Sequence, residues 1–133
     1  MDPQNPNIKV VHMDIKEPID YEYAVNGLGG EKEIFFMMLG KLEGMTLDQT
    51  MRDIVKEIEN RNYLEIKNLA HSLKGASGYI GAARLYYMCY FIQFHYVEHN
   101  YEKMLEYYPG FVEAAIEYKM YSRRMIAENK RKF

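Results

Sequence analysis

The sequence predicts an all-α fold, namely an antiparallel up-and-down four-helix bundle with an extra short N-terminal helix. No proline interrupts the chain between Pro18 and Pro109, so long helices are permitted throughout that interval. β-branched residues are sparse there, and apolar side chains recur at helical spacing. The connections between the amphipathic segments are short, which predicts that neighbouring helices run antiparallel.

The composition indicates one soluble domain. The 133 residues divide into an N-terminal tail (1–17), a helical bundle (18–127) and a short basic end (128–133). A formal net charge of −2 argues against a nucleic-acid binder. No basic-then-apolar leader and no apolar run of about 18 residues is present, so neither a signal peptide nor a membrane span is predicted. The single cysteine, Cys89, argues against a secreted disulfide framework. We therefore expect a cytoplasmic monomer, and the basic end also permits a nuclear location.

The first three predicted helices follow Pro18. A short one is ended by the pair Gly29 and Gly30. The second runs from Glu31 to about Glu43 on an apolar stripe. Thr46 and a glutamine three residues later have the spacing of a capping box, which predicts a new helix from Thr46 to about residue 60. The alternative is that the second and third segments form one bent helix.

Three more helices complete the predicted bundle. One runs from about Tyr63 to Ile80, and Gly81 is well placed as its left-handed C-terminal cap. The next covers about residues 83–99. The last covers about residues 101–127 and is expected to bend at Pro109, because proline removes a backbone hydrogen bond.

The helix over residues 63–80 carries a histidine opposite its core face. At about 100° per residue, one side of the wheel is apolar. It contains Ile66, Leu69, Ala70, Leu73, Ala76, Ser77 and Ile80. His71 points nearly the opposite way. Among the residues that lie within about 60° of it are Lys67, Lys74, Gly75 and Gly78. The wheel thus predicts an outward face with an imidazole, two ammonium groups and two positions without side chains.

This outward face suits nucleophilic chemistry at His71. Helix-favouring residues such as Glu, Lys or Ala would crowd the imidazole, whereas glycine leaves room for another macromolecule. Near neutral pH most of an ordinary imidazole is uncharged, so a ring nitrogen can attack phosphorus. A phosphoryl group adds about two negative charges, with which Lys74 can pair, while Lys67 adds positive potential from one turn away.

Plainer interpretations apply to the other histidines. His12, His95 and His99 are predicted to be polar surface residues. A metal site at His71 would need a ligand three or four residues along the same face, where the chain has Lys74 and Gly75. No metal site is therefore predicted.

The stretch AHSLKGASGYIGAARL resembles the signature of histidine-containing phosphotransfer (HPt) domains. The residues in register are Ala70, His71, Leu73, Lys74, Gly75, Ser77, Gly81, Ala82 and Leu85. Upstream, IDYEYAVNGLGGEKEIFFMML is similar to the family's first short helix, Gly-Gly turn and first bundle helix. The similarity covers about residues 18–121.

The resemblance implies roles for particular residues. His71 would be the phosphoacceptor, Lys74 would steady the phosphoryl group, and Gln93 on the following helix would hydrogen-bond the imidazole. Docking would involve Lys67, Gly75, Gly78 and Tyr79. Tyr79, with Tyr86, Tyr87 and Tyr90, could form an apolar docking rim, or these tyrosines could belong to the core.

The implied function is that of a phosphorelay intermediate in two-component signal transduction. His71 would accept a phosphoryl group from the aspartate of a receiver domain and pass it to another receiver. The partners would be response-regulator receiver domains and a hybrid histidine kinase. The receiver would supply Mg²⁺, and no cofactor of the chain's own is expected. The chain shows no kinase ATP-binding sequence and no receiver domain, so a free-standing carrier without kinase activity is expected. The alternative is a non-catalytic helical adaptor that binds or sequesters a receiver domain.

Overall fold

The structure, a computed structural model, describes residues 13–131, and no strand occurs among them. Its helices are α1 (Tyr21–Gly27), α2 (Lys32–Lys41), α3 (Leu47–Glu59), α4 (Tyr63–Tyr79), α5 (Ala83–Val97), α6 (Tyr101–Glu106) and α7 (Tyr108–Arg131). A π-helical turn over Leu42–Thr46 joins α2 to α3.

Four long helical units form the predicted bundle. The first is α2 with its π turn and α3, the second and third are α4 and α5, and the fourth is α6 with α7. Helix α4 packs between α3 and α5, and α7 closes the ring by contacting both α5 and α2. Helix α1 lies outside this ring and contacts α2 and α4. The all-α fold class and the extra short N-terminal helix are thereby confirmed.

The predicted helix start at Thr46 is wrong, and the alternative of one continuous helix is correct. Thr46 has helical dihedral angles (φ −64°, ψ −46°), and its side chain makes no capping hydrogen bond. The chain instead passes from α2 to α3 through the π turn, with Gly44 inside that turn. Two ion pairs bind this region to α7, with Lys119 Nζ 2.7 Å from Asp48 Oδ1 and Arg123 Nε 2.6 Å from a Glu43 carboxylate oxygen.

The turn between α4 and α5 is fixed to the start of α1. Gly81 has the predicted left-handed conformation (φ 69°), and its carbonyl oxygen accepts a 2.6 Å hydrogen bond from the Asp20 amide. A Cβ atom at position 81 would lie 2.4 Å from the Asp20 carbonyl oxygen. Only glycine therefore fits this contact. Gly29 and Gly30 also have positive φ values and end α1 as predicted.

The last predicted helix is divided in two. Helix α6 ends at Glu106, and α7 begins at Tyr108, so that Pro109 lies in the first turn of α7, where a missing amide hydrogen has no cost. Helix α7 continues to Arg131, beyond the predicted end at residue 127.

The residues before α1 pack against α5. The Met13 amide donates a 3.1 Å hydrogen bond to the Tyr87 hydroxyl, and Met13 itself is buried. The Arg84 guanidinium donates to the carbonyl oxygens of Ile15 and Lys16, at 3.0 and 2.6 Å. Of the predicted tail, residues 1–12 lie outside the described part of the chain. Among residues 13–131, none of the helices combines the length and the apolar character that crossing a membrane requires.

The core lies between the four units. Its largest fully buried side chains come from every unit of the bundle, and they include Phe35, Leu39, Ile54, Ile66, Leu73, Leu85, Ile92, Phe111 and Tyr118. The Tyr118 hydroxyl donates a 3.0 Å hydrogen bond to the Leu39 carbonyl oxygen, close to the π turn. Burial is the main reason why the pKa of Tyr118 is raised far above its ordinary value.

We expect Tyr118→Phe to lower the free energy of unfolding by about 1 kcal/mol, because the variant loses one buried hydrogen bond while keeping the ring. Urea denaturation followed by circular dichroism would measure the change. Tyr79→Phe is the matched control, since Tyr79 is 67% exposed. Equal effects of the two substitutions would contradict a stabilising role for the buried hydroxyl.

Candidate functional site

One face of α4 is open to solvent along its whole length. We name it the α4 stripe, and its exposed residues are Leu64, Asn68, His71, Ser72, Gly75 and Tyr79. His71 lies near the middle, between two apolar side chains, since Leu64 is 52% and Tyr79 67% exposed. The predicted outward position of His71 is confirmed.

A second row of α4 residues faces α5. The Lys67 ammonium lies over the Tyr96 ring, 5.5 Å from its centroid. A Cβ at Gly78 would touch the Tyr86 ring at 3.6 Å. These contacts place Lys67 and Gly78 at the margin of the α4 stripe, beside α5.

The predicted outward position of Lys74 is wrong, because its side chain is only 6% exposed. On the helical wheel Lys74 is about 60° from His71 on the side of Lys67 and Gly78, which is the side that α5 covers. Its charge acts on the thiol of Cys89 on α5. Lys74 therefore extends into the α4–α5 interface, with its aliphatic stem covered.

Cys89 lies in the same interface and is completely buried. Burial raises the pKa of its thiol far above the ordinary value, and the neighbouring Lys74 charge offsets only part of that effect. The thiol is therefore protonated at neutral pH and packs as a small apolar group.

Gln93 lies level with His71 on the neighbouring helix. In the antiparallel pair, Lys67 meets Tyr96, Lys74 acts on Cys89 and Gly78 faces Tyr86. Position 71 lies between Lys67 and Lys74 on α4, and position 93 lies between Tyr96 and Cys89 on α5. The two positions are therefore opposite each other.

Gln93 is 7% exposed, and its Oε1 atom has no hydrogen-bond partner among residues 13–131. A buried amide oxygen without a partner is costly and is usually satisfied by a nearby donor or a water molecule. The imidazole of His71 is a donor at the right level of the bundle. The hydrogen bond between them stays a prediction.

The two glycines near His71 have different surroundings. Apart from its own helix backbone, a Cβ at Gly75 would meet no atom of the described residues within 4 Å, whereas a Cβ at Gly78 would touch Tyr86. Gly75 thus leaves open space one turn beyond His71 on the α4 stripe. Gly78 accommodates the Tyr86 ring, so the two glycines serve different contacts.

We expect Gly75→Ala to raise the free energy of unfolding by about 0.5–1 kcal/mol, because alanine favours a helix and the added methyl group meets nothing. Gly75→Trp should also fold, but its indole would cover the approach to His71. Thermal unfolding and transfer from a phosphorylated receiver domain are the measurements. We expect the rate of phosphoryl transfer to fall about tenfold or more in Gly75→Trp and to change little in Gly75→Ala. Unimpaired transfer in Gly75→Trp would show that partners do not approach over Gly75.

The burial of Lys74 changes what its substitution should do. Lys74→Ala removes stem atoms from the interface and should lower the free energy of unfolding by on the order of 2 kcal/mol. Lys74→Met keeps most of the stem without the charge and is expected to be closer to wild type in stability. Urea denaturation of both variants tests this expectation. If the Lys74→Ala protein proved as stable as the Lys74→Met protein, the aliphatic stem of Lys74 would contribute nothing to the packing of the interface.

The other tyrosines and histidines singled out from the sequence differ in burial. Tyr86 is buried, and Tyr87 and Tyr90 are half-buried, which leaves Tyr79 as the exposed tyrosine of the four. His95 stacks on Tyr107 with ring centroids 5.2 Å apart, and desolvation is the main reason why its pKa is lowered. His99 is exposed in the turn after α5, while His12 lies outside the described residues. Residues 13–131 contain no group of three or more His, Cys, Asp or Glu side chains suited to a metal ion.

Sequence reasoning missed Leu64, Asn68 and Ser72 on the stripe, and it missed Tyr96 as the partner of Lys67. On the same wheel Leu64 lies only about 20° from His71. Extending the outward face to the first turn of the helix would therefore have found Leu64. The contact with Tyr96 depends on how α5 packs, for which the α4 sequence holds no signal.

The comparison with protein-family models gives a match to the Hpt domain over residues 45–113. This range covers slightly more than half of the chain and includes His71, Gly75 and Gln93. Comparisons with curated proteins and with solved structures give no significant match. The helical bundle, the exposed His71 and the family match agree with one another. The chain belongs to the Hpt domain family, whose role is histidine phosphotransfer in phosphorelays.

Proposed function

We propose that His71 accepts a phosphoryl group from the aspartate of a receiver domain and later passes it to the aspartate of another receiver. The observation that carries the proposal is the exposure of His71 in the middle of the α4 stripe, beside the open space at Gly75. A receiver domain could bring its aspartyl phosphate up to the imidazole there without meeting a side chain at position 75.

The transfer step needs no proton from the protein. The lone pair of the imidazole nitrogen farther from the backbone attacks phosphorus, and a nitrogen–phosphorus bond forms. The phosphorus–oxygen bond to the aspartate breaks, and its electron pair leaves with the carboxylate. The other ring nitrogen keeps its hydrogen, so the product is a phosphorylated imidazolium. The reverse step transfers the group to a second aspartate.

Gln93 and Lys74 support this step in the proposal. The unpaired Gln93 Oε1 would accept the hydrogen of the ring nitrogen nearer the backbone and hold the imidazole for attack. Lys74 would contribute positive potential from beneath the α4 surface. The α4 stripe carries no carboxylate that could hold Mg²⁺, so the metal ion would come with the receiver.

The proposal also includes the partners and the setting. A hybrid histidine kinase would be the source of the phosphoryl group, and docking would be transient, through a modest interface. The chain would act as a monomer in the cytoplasm, and its basic end would also permit a nuclear location.

The proposal is tested by incubating the protein with a receiver domain carrying radiolabelled phosphate on its aspartate. Acid-labile label should appear on the protein, and peptide mapping at alkaline pH should locate it at His71. Receiver binding without label would instead support the non-catalytic adaptor, whose contact surface the exposed Leu64 and Tyr79 could equally provide. Label at any other residue would contradict the assignment of His71.

A further inference from the structure

We infer that Tyr96 is a positioning residue, which holds the Lys67 ammonium towards His71 as a second cation for the phosphoryl group. This inference rests on the proposed phosphorylation of His71. The observation behind it is the placement of the Lys67 ammonium over the Tyr96 ring, 5.5 Å from the ring centroid. A cation at that distance from a tyrosine face is attracted by the negative potential of the ring.

The Tyr96 ring is itself held by an aromatic cluster. Its centroid is 5.7 Å from that of Tyr101, and the Tyr101 ring stacks on Tyr63 with centroids 4.8 Å apart and planes within 6°. All three tyrosines are half-buried. The cluster joins α4, α5 and α6 near the N-terminal end of α4, so the ring beneath Lys67 has a defined position.

The direction of side chains on a helix brings the imidazole of His71 near Lys67. Helical side chains lean towards the N-terminus of their own helix. The imidazole of His71 therefore leans back over the turn that contains Lys67. Tyr96 lies on the antiparallel helix α5 at the level of Lys67 itself. The contact with Tyr96 limits the directions that the Lys67 side chain can take, and it keeps the ammonium beside the turn over which the imidazole leans.

Lys67 also differs from Lys74 in accessibility. Lys67 is half-buried at the margin of the α4 stripe, whereas Lys74 is 6% exposed and extends into the interface. A phosphoryl group on His71 would project outward, where Lys67 can reach it. Holding a long side chain in one position beforehand also reduces the entropy lost when the ammonium pairs with the phosphoryl oxygens.

The test uses phosphoramidate as a small phosphodonor, so that no partner protein is needed. Phosphate on His71 is followed by ³¹P NMR in the wild type, Tyr96→Phe, Tyr96→Leu, Lys67→Met and the double variant Tyr96→Leu/Lys67→Met. Phenylalanine keeps the aromatic face and should leave the rate within about 1.5-fold of wild type. Leucine should slow phosphorylation by about two- to fivefold, and Lys67→Met should slow it by at least as much.

Two further readouts separate positioning from a merely structural role. In the Lys67→Met background, Tyr96→Leu should cause no additional loss, because the ammonium that it positions is absent. The difference between wild type and Tyr96→Leu should shrink at 1 M salt, where the Debye length is only about 3 Å. If Tyr96→Leu does not fold, Tyr96→Met takes its place in the same comparisons, since methionine fills much of the volume without an aromatic face.

The outcomes distinguish failure of the proposed function from failure of the role inferred for Tyr96. If the wild type gains no phosphate at His71, the proposed function itself fails. If the wild type is phosphorylated but Phe and Leu at position 96 lower the rate equally, the aromatic face is irrelevant and the role of Tyr96 is overturned. Additive losses in the double variant would overturn it as well.

Discussion

Replacing His71 with glutamine is expected to abolish phosphate incorporation from a phosphorylated receiver domain. Glutamine is similar in polarity and favours a helix, but its amide nitrogen has no lone pair available to attack phosphorus. His71 is exposed, so the substitution should change the free energy of unfolding by no more than about 0.5 kcal/mol. The measurement is acid-labile label on the purified protein, together with its urea denaturation curve.

His95→Gln and His99→Gln are the matched controls for this experiment. His95 is stacked on Tyr107 and His99 lies in the turn after α5, so neither belongs to the α4 stripe. Both variants should be labelled at the rate of the wild type. A His71→Gln protein that gains label at that same rate would remove the basis of the phosphotransfer proposal.

Gly81→Ala is expected to have the largest effect on stability, lowering the free energy of unfolding by about 2 to 5 kcal/mol. The left-handed conformation costs a non-glycine residue about 1–2 kcal/mol, and forcing a methyl group into a filled space costs about 1–3 kcal/mol more. The clash is with the Asp20 carbonyl oxygen, only 2.4 Å from the added carbon. That oxygen is fixed because it also accepts the Ala24 amide in the first turn of α1.

Gly30→Ala separates the two causes. Gly30 also has a positive φ of 83°, but a Cβ there would meet nothing within 4 Å. Its replacement should cost only the conformational part, about 1–2 kcal/mol. Gly27→Ala, which has neither feature, should be neutral or stabilising. If urea denaturation gave the same loss for Gly81→Ala and Gly30→Ala, the contact between Gly81 and Asp20 would not matter for stability.

The helices of the bundle could largely be predicted because their ends carry strong local signals. The left-handed glycines at positions 29, 30 and 81 and the proline at 109 each act within one turn of the chain. Thr46 shows the limit of such signals. The sequence Thr-Leu-Asp-Gln can occur inside a helix as well as at its start. Whether Thr46 begins a helix depends on whether the residues before it are already helical. The π turn before Thr46 has no comparable mark in the sequence.

The candidate site was predictable in its centre and less so at its margin. A helical wheel places His71 and Gly75 far from the core stripe, and both are exposed. Lys74 lies at an angle where burial depends on how closely the next helix approaches, and the wheel of one helix does not contain that information. The same packing of α5 created the contact between Lys67 and Tyr96, which only the assembled structure reveals.

The deep placement of Cys89 has a practical consequence for following the relay. Because the sole sulfhydryl of the chain is enclosed and protonated, maleimide dyes and mild thiol oxidants should leave Cys89 of the native protein unmodified. A reporter cysteine introduced on the surface would then be the one reactive position, and a fluorophore attached there could register each arrival and departure of a partner without background labelling.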